Sequence, residues 1–326
     1  MWPWREHLMV AVAALMLDAS IGDPDWIWRR LPHPVASIGG LIAGLDRALN
    51  RETWSRRMRK MAGVLTVLLL GVAAGVAGYV VEISLRQTRG SHIAAMAGLG
   101  LIASVFIAQQ SLYRHVARVR SAFTTGGLVA ARAAVAMIVG RDPESLDESG
   151  VARAAIESCA ENFSDGVVAP VFWLALLGLP GLLVYKAINT ADSMIGHRTP
   201  RHRDFGWAAA RLDDMLNLLP ARLAGLLIVL AAPIARGSLA GSLKTMWCEA
   251  RNHRSPNAGW PESAMAGALG VALAGPRRYG AAVVDDPFLN SDARKNATPD
   301  DIHRALKVLI AACVLDFAIY AALLLL

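Results

Sequence analysis

The chain is short of cysteine, of charge and of aromatic residues, and each shortage closes off a class of protein. Its three cysteines, Cys159, Cys248 and Cys313, lie far apart without metal-ligand spacing, which excludes a disulfide framework and a cysteine-built zinc site. Charged residues make up 18% of the 326 positions and hydrophobic ones 55%, too greasy a balance for an ordinary soluble enzyme. Aromatic residues are 6%, and no stripe interleaves them with basic ones, so the net charge of +7 does not describe a nucleic-acid surface. There is no Walker-type glycine loop to cradle a nucleotide, and no internal repeat of the kind that builds many transporters.

Long apolar runs separated by sizeable polar segments are present instead. They predict an all-α, polytopic integral membrane protein with re-entrant or half-length helices and cytoplasmic polar loops, organised as one domain over residues 1–326. Arg5 followed by Leu8 to Leu17 imitates a signal peptide but reads as an uncleaved helix, because the polar sequence after it looks functional. Ile38 to Asn50 has the pattern of an amphipathic helix. The clearest span is Met61 to Ile83, whose glycines at 71, 75 and 78 leave a smooth face for a neighbouring helix. Arg51, Arg56, Arg57, Arg59 and Lys60 precede it and predict a cytoplasmic flank, against Arg86 and Arg89 on the other side. Ile93 to Ala108 returns through the bilayer. Residues 109–158 then read as a water-facing cytoplasmic helical insertion, broken at Thr124 to Gly127 and ending in a polar turn at Arg141-Asp142-Pro143.

The informative stretch runs from Glu157 to Asp214. Glu157, Glu161 and Asp165 recur every fourth residue, so on one helix they share a face and repel one another by a few tenths of a kcal/mol per pair. Something positive is expected to gather them. The uncharged run from Val167 to Tyr185 has the length of a crossing, but Gly178, Pro180 and Gly181 predict a sharp break into a re-entrant hairpin with both ends on one side. An ordinary straight span is the competing reading. Leu223 to Ala235 and Ser263 to Gly275 are short and read as further half crossings. Beyond the hairpin, Asn189 and Asp192 are a turn apart, Asp204 lies among Arg201, His202 and Arg203, and Asp213 and Asp214 follow Arg211. Acids and bases crowded against apolar walls suit a metal and a polyanion.

Two flanking segments add to this. Asp18, Asp23 and His33 bracket turns at the membrane surface, where they read either as caps and connectors or as the lining of a site. The stretch from Arg251 to Glu262 is rich in turn formers, and Pro261 suits a first helical position, so the Asn257 to Trp260 turn beside Arg251 and Arg254 outlines an anion site. A closing helix runs to Leu326, and its Asp316 reads either as a functional buried charge or as a structural acceptor, and stays outside the site.

In order, LDASIGDPDW with LPHPV, ESCAENFSDGVVAP, NTADSMIGHR, RDFGWAAARLDD with LPARL, and RSPNAGWPESAMAGALG closely resemble the CobD/CbiB family of cobalamin biosynthesis, the adenosylcobinamide-phosphate synthases, from about Leu17 to Tyr279. Cys159, Phe163 and His197 are mild departures. The resemblance implies a ligase that attaches aminopropanol or its O-phosphate to the one free propionate of adenosylcobyric acid, with ATP as cosubstrate and Mg2+ as cofactor. On that reading the metal ligands are Glu157, Glu161, Asp165 and Asp192, with Glu161 also counted as catalytic. Lys186, Arg198, Arg211, Arg251 and Asn257 contact phosphate, and Asp18, Asp23, His33, Asn189 and Glu262 complete the substrate and ATP lining. Asp213 or Asp214 receives a proton from the incoming ammonium, or else pairs with Arg211. The corrinoid rests over Trp207 and Trp260, or these anchor the interface. The expected setting is the inner (plasma) membrane with the site facing the cytoplasm. A partner protein of the pathway and a homo-oligomer stay open, and a membrane prenyltransferase and a transporter are the alternatives.

Overall fold

The computed structural model describes residues 3–87, 91–139, 143–279 and 282–326. Arg89 of the expected outer flank and Arg141 and Asp142 of the expected polar turn lie outside the described residues. In chain order the α-helices are α1 (Pro3–Ser20), α2 (Asp25–Trp28), α3 (Pro34–Leu49), α4 (Arg56–Gln87), α5 (His92–Ser104), α6 (Gln109–Val135), α7 (Glu148–Phe163), α8 (Ala169–Ile195), α9 (Trp207–Leu216), α10 (Leu218–Ala231), α11 (Leu239–Glu249), α12 (Gly259–Leu269) and α13 (Pro299–Leu325). Among the described residues five helical stretches are long and apolar enough to cross a membrane: Arg56–Gln87, His92–Val135, Glu148–Ile195, Leu218–Ala235 and Pro299–Leu325. The protein is therefore of the all-α polytopic membrane class. Helix starts follow local chemistry. His33, Ser91 and Asp147 each accept a first-turn N–H bond, from Val35, Ala94 and Gly150 respectively.

Contacts divide the chain into two compact units, one of residues 1–108, 169–217 and 320–326, the other of residues 109–168 and 218–319. In the first, α8 bends where the glycines foretold it. Gly178 has φ 68°, and a Cβ on Gly181 would sit 2.6 Å from the Trp173 carbonyl oxygen, so the chain doubles back on itself. Glu82 of α4 caps the turn, its Oε2 accepting the Leu179 N–H at 3.1 Å while Oε1 pairs with Arg86 at 2.7 Å. Gly78 lies directly under Pro180, too close for any side chain, and Gly75 meets Val184, whereas Gly71 faces open space. The second limb of α8 thus runs against α4. Ile42, Ala62, Val67, Leu70, Ile188, Ile195 and Phe205 close the core at its far end. The loop after α8 is pinned there by Arg201 on Asp46 at 2.7 Å and by Arg56 on Asp204 at 3.2 Å. Asp204, which the sequence sets among basic residues, is buried and pairs with Arg56.

In the second unit α6 breaks at Gly126 and Gly127, as expected from the Thr-Thr-Gly-Gly signal. The expected half crossing at Ser263 to Gly275 is not formed whole. Gly270 takes a left-handed conformation that ends α12, and β1 (Leu273–Ala274) then pairs with β4 (Phe288–Leu289) in an antiparallel ladder. A second ladder pairs β2 (Arg277–Tyr279) with β3 (Ala282–Val284). Pro261 stands third in α12 rather than first, since the helix begins at Gly259.

Candidate functional site

In the first unit the second limb of α8 and the whole of α9 carry five of the sequence-selected residues, Asn189, Asp192, Arg211, Asp213 and Asp214. Asn189 Nδ2 donates to Asp213 Oδ1 at 3.2 Å, and Asn217 Nδ2 donates to Asp213 Oδ2 at 3.0 Å. Tyr185 donates its hydroxyl proton to Asn217 Oδ1 at 3.0 Å, which leaves the amide NH2 of Asn217 turned toward the carboxylate. Asp213 is 8% exposed, and burial together with the neighbouring charge of Asp192 pushes its carboxyl up to about 7 against those two hydrogen bonds. Burial also raises Asp214, opposed by Arg211 and Arg198. Arg211 reaches Asp214 at 3.7 Å one turn along α9, so of the two acids it is Asp214 that takes the local ion pair. Arg198 itself is exposed.

Asp192 owes its placement to a glycine. A Cβ on Gly196 would fall 1.8 Å from Asp192 Oδ1, so the chain turns after α8 over the carboxylate itself. A buried carboxylate beside a second one, clasped by two amides, holds either a proton or a cation. Sequence reasoning passed over Asn217, Tyr185 and Gly196. The spacing of Asn217 four residues after Asp213 was the available signal.

A cavity of about 470 Å³ opens in the same unit, lined by Asp23, His33 and Lys186 together with Thr190, Met194 and the apolar residues Val105 to Ala108. Residues that the sequence placed in separate turns are thus neighbours. His33 Nδ1 accepts the Val35 N–H at 3.2 Å, which puts the ring proton on Nε2, facing Asp23 Oδ1 at 3.6 Å. The cap and the lining, offered as competing readings, are both served by one ring. Asp18 is 2% exposed, within α1. Trp207 is 45% exposed with Lys60 Nζ 5.3 Å over its ring.

In the second unit the three acids expected on one helical face fall on two consecutive helical segments. Glu157 and Glu161 lie in α7, but α7 ends at Phe163 and Asp165 falls in the π-helical turn Ser164–Val168. Glu157 is buried and accepts the Ala274 N–H of β1 at 2.8 Å, a structural bond to a strand the sequence did not announce. Glu161 is exposed and Asp165 half-buried. Glu262 and Asn257 are buried, Glu262 with His253 Nε2 at 3.6 Å, while Arg251 is exposed beside them in sequence. Arg254 pairs with Asp286. Trp260 is covered by the Arg222 guanidinium at 4.5 Å and by the edge of Trp247 at 6.1 Å, so it offers no face to a corrinoid. Among the described residues no three His, Cys, Asp or Glu side chains gather into a cluster able to hold a metal by themselves.

The chain matches the CobD/CbiB protein family over residues 11–309. It is 52% identical over 324 residues to the cobalamin biosynthesis protein CobD of Rhizobium meliloti (strain 1021), covering 97% of each chain. It is 50% identical over 313 residues to the protein of that name from a Sinorhizobium species, covering 94% of each, and 48% identical over 295 residues to that of Rhodobacter capsulatus, covering 90% of each. No solved structure matches it. A match over nearly the full length shows that this chain belongs to the CobD/CbiB family.

Proposed function

We propose that the protein acts in cobalamin biosynthesis as an ATP-dependent ligase, joining aminopropanol or aminopropanol O-phosphate to the free propionate of adenosylcobyric acid to give adenosylcobinamide or its phosphate. The names of the relatives support the pathway, and the setting of Asp213 supports the chemistry. A carboxylate is a poor acyl donor, so one propionate oxygen attacks the γ-phosphorus of ATP and ADP leaves. The amine nitrogen then attacks the acyl phosphate carbon, phosphate departs, and the nitrogen sheds a proton.

Asp213 is suited to take that proton. Its buried carboxyl, raised to about 7, accepts a proton at neutral pH more readily than an exposed aspartate would, and Asn189 and Asn217 hold both oxygens in place. Asp192 suits a divalent cation, which needs only one or two protein carboxylates and takes its other ligands from phosphate and water. Bound Mg2+ would neutralise the polyphosphate of ATP. Asp165 and Glu161 keep the same donor chemistry in the second unit, while the Glu157 oxygen on Ala274 is held by the backbone. Arg198 and Arg211 suit phosphate oxygens.

The site faces the cytoplasm of the inner membrane on this reading. Ile195 and Phe205 share a core with Ala62, at the end of α4 that carries Arg56, Arg57, Arg59 and Lys60, and such a basic flank stays inside. The test is detergent-purified protein given adenosylcobyric acid, ATP, Mg2+ and either amine. ATP-dependent formation of adenosylcobinamide or its phosphate is expected. No such product, or pyrophosphate release from a prenyl donor instead, overturns the reading.

A further inference from the structure

Within the second unit, α10 and α13 leave a groove of about 580 Å³ between them, and both belong to stretches able to cross a membrane. Its walls are apolar. Leu230 and Ile234 stand on one side, Ile310 and Val314 on the other, and each of the four is more than half exposed. The lining holds one charge, that of Lys307. Both walls reach a polar boundary at the same level. Arg236 follows the 3-10 turn Ala232–Ala235 that continues α10, and Lys307 immediately precedes the uncharged run Val308 to Leu315. Arg304 ties the two ends together, its Nε donating to the Ala235 carbonyl at 3.1 Å. That guanidinium is already engaged, since it also donates to the Leu269 carbonyl at 2.8 Å and to Asp301 at 3.1 Å. Lys307 and Arg236 are exposed and have no acid or hydrogen-bond partner among the described residues. The nearest acid before Lys307 on its face of α13 is Asp300, about 10 Å back along the axis. Arg236 also holds φ 58° and ψ 28°, a left-handed conformation in which glycine would be unstrained, yet the chain keeps a charged side chain there.

We propose that this groove binds one anionic phospholipid, with an acyl chain between α10 and α13 and the phosphate on Lys307 and Arg236. The site stands independently of the ligase reaction. Inside a bilayer no water is at hand to fill an apolar groove, and a hydrocarbon chain fills it without cost. On α13 the lining from Lys307 to Leu315 rises about 12 Å, most of the roughly 15 Å of hydrocarbon in one leaflet. A single chain therefore lies along it with its headgroup level with the lysine. The sign of that headgroup follows from the mouth. A zwitterionic lipid brings an ammonium toward two cations, whereas a phosphatidylglycerol headgroup brings negative charge alone. Lysine and arginine serve this geometry because their stems stay on apolar surface while the charged ends reach the interface. A second copy of the chain packed here would have to lodge both cations against its own apolar helices, which is costly in lipid.

The experiment is photolabelling of the full-length protein in neutral detergent with phosphatidylglycerol carrying a diazirine on one acyl chain, read by peptide mass spectrometry. Crosslinks are expected on residues 230–234 or 310–315. Unlabelled phosphatidylglycerol should compete at a concentration about tenfold or more below that of phosphatidylcholine with the same chains, the size of effect that two basic residues at a membrane surface supply. Soluble glycerol phosphate, a headgroup without a chain, should not compete, which separates a lipid site from a phosphate site. Lys307→Gln combined with Arg236→Gly, the latter relieving the left-handed backbone, is expected to erase the difference between the two lipids. Lys307→Arg combined with Arg236→Lys should keep it, which separates lost recognition from lost folding. Ala311→Trp, which fills the groove, should abolish the labelling. Equal competition by the two lipids in the wild type, a preference that survives loss of both charges, competition by glycerol phosphate, or labels lying only elsewhere on the chain overturns the site. So does a dimer crosslinked from copy to copy through Val314→Cys, since a second chain would then occupy the groove.

Discussion

Asn189 donates a hydrogen bond to Asp213 across 3.2 Å, tying the second limb of the α8 hairpin to α9. That one bond joins the hairpin's geometry to the proposed chemistry, because Asp213 is held where its charge is costly.

Asp213→Asn is expected to lower kcat by about 100-fold or more, in the range for loss of a general base, with substrate binding retained. In the wild-type protein kcat/KM should fall as pH drops below about 7, following protonation of Asp213, and the variant should lose that limb. A pH profile unchanged by the substitution would remove Asp213 from the reaction.

The same residue gives a stability signature in chelator, free of metal. Its folded carboxyl lies near 7, above the ordinary 3.8, so the folded state binds the extra proton and stability falls as pH rises between those values. Asp213→Asn should therefore melt higher than the wild type at pH 8 and about equally near pH 4. Melting curves in detergent at the two pH values decide it, and equal curves at pH 8 would show that the carboxylate is not strained by burial.

Gly196→Ala is expected to cut turnover about 10- to 100-fold with little loss of fold, since its Cβ would occupy the place of Asp192 Oδ1 and push that carboxylate aside. Asp192→Asn should match it in activity. Thermal melts and Mg2+ titration of turnover check both, and full activity in Gly196→Ala would mean that Asp192 is free to sit elsewhere.

At the hairpin tip, Gly178→Ala should destabilise the protein by about 2 kcal/mol or more, because φ is positive there and a Cβ would lie 2.6 Å from Glu82 Oε2. Gly71→Ala, with no atom within 4 Å of its Cβ, is the internal control and should be neutral or slightly stabilising. Glu82→Ala should resemble Gly178→Ala, since it strips the Leu179 N–H and Arg86 of their acceptor. Denaturation midpoints that do not separate Gly178 from Gly71 would refute the tight turn.

Cysteines introduced at the exposed positions Ser193 and Ser91, in a protein whose own exposed Cys248 is replaced, report the hairpin's direction. Ser193→Cys should be labelled by an impermeant reagent from the face that carries Arg57, and Ser91→Cys from the opposite face. Labelling of both from one face would contradict a spanning α4.

Much of this was legible in the chain itself. The break in the long uncharged run was written in Gly178, Pro180 and Gly181, because a positive φ and a missing N–H are local properties of those residues. The kink at Gly126 and Gly127 was legible for the same reason, and so was the basic flank of α4. That Asp165 lies in a π-helical turn rather than in α7 with Glu157 and Glu161 was not legible, because a π-helical turn leaves no signature in spacing. The bond from the Ala274 N–H to Glu157 was not legible either, because it comes from a strand more than a hundred residues away.

By itself, then, the sequence determined the membrane class, the places where helices begin and break, and the family, all of which depend on residue type, neighbouring positions or ordered motifs. Tertiary structure alone decided which acids matter to each other. Whether an aspartate is a surface charge, a partner for Arg56 as Asp204 is, or a buried base as Asp213 is, depends on what distant segments place within a few ångströms of it. Burial and Coulomb interaction act through space, and no spacing along the chain encodes them.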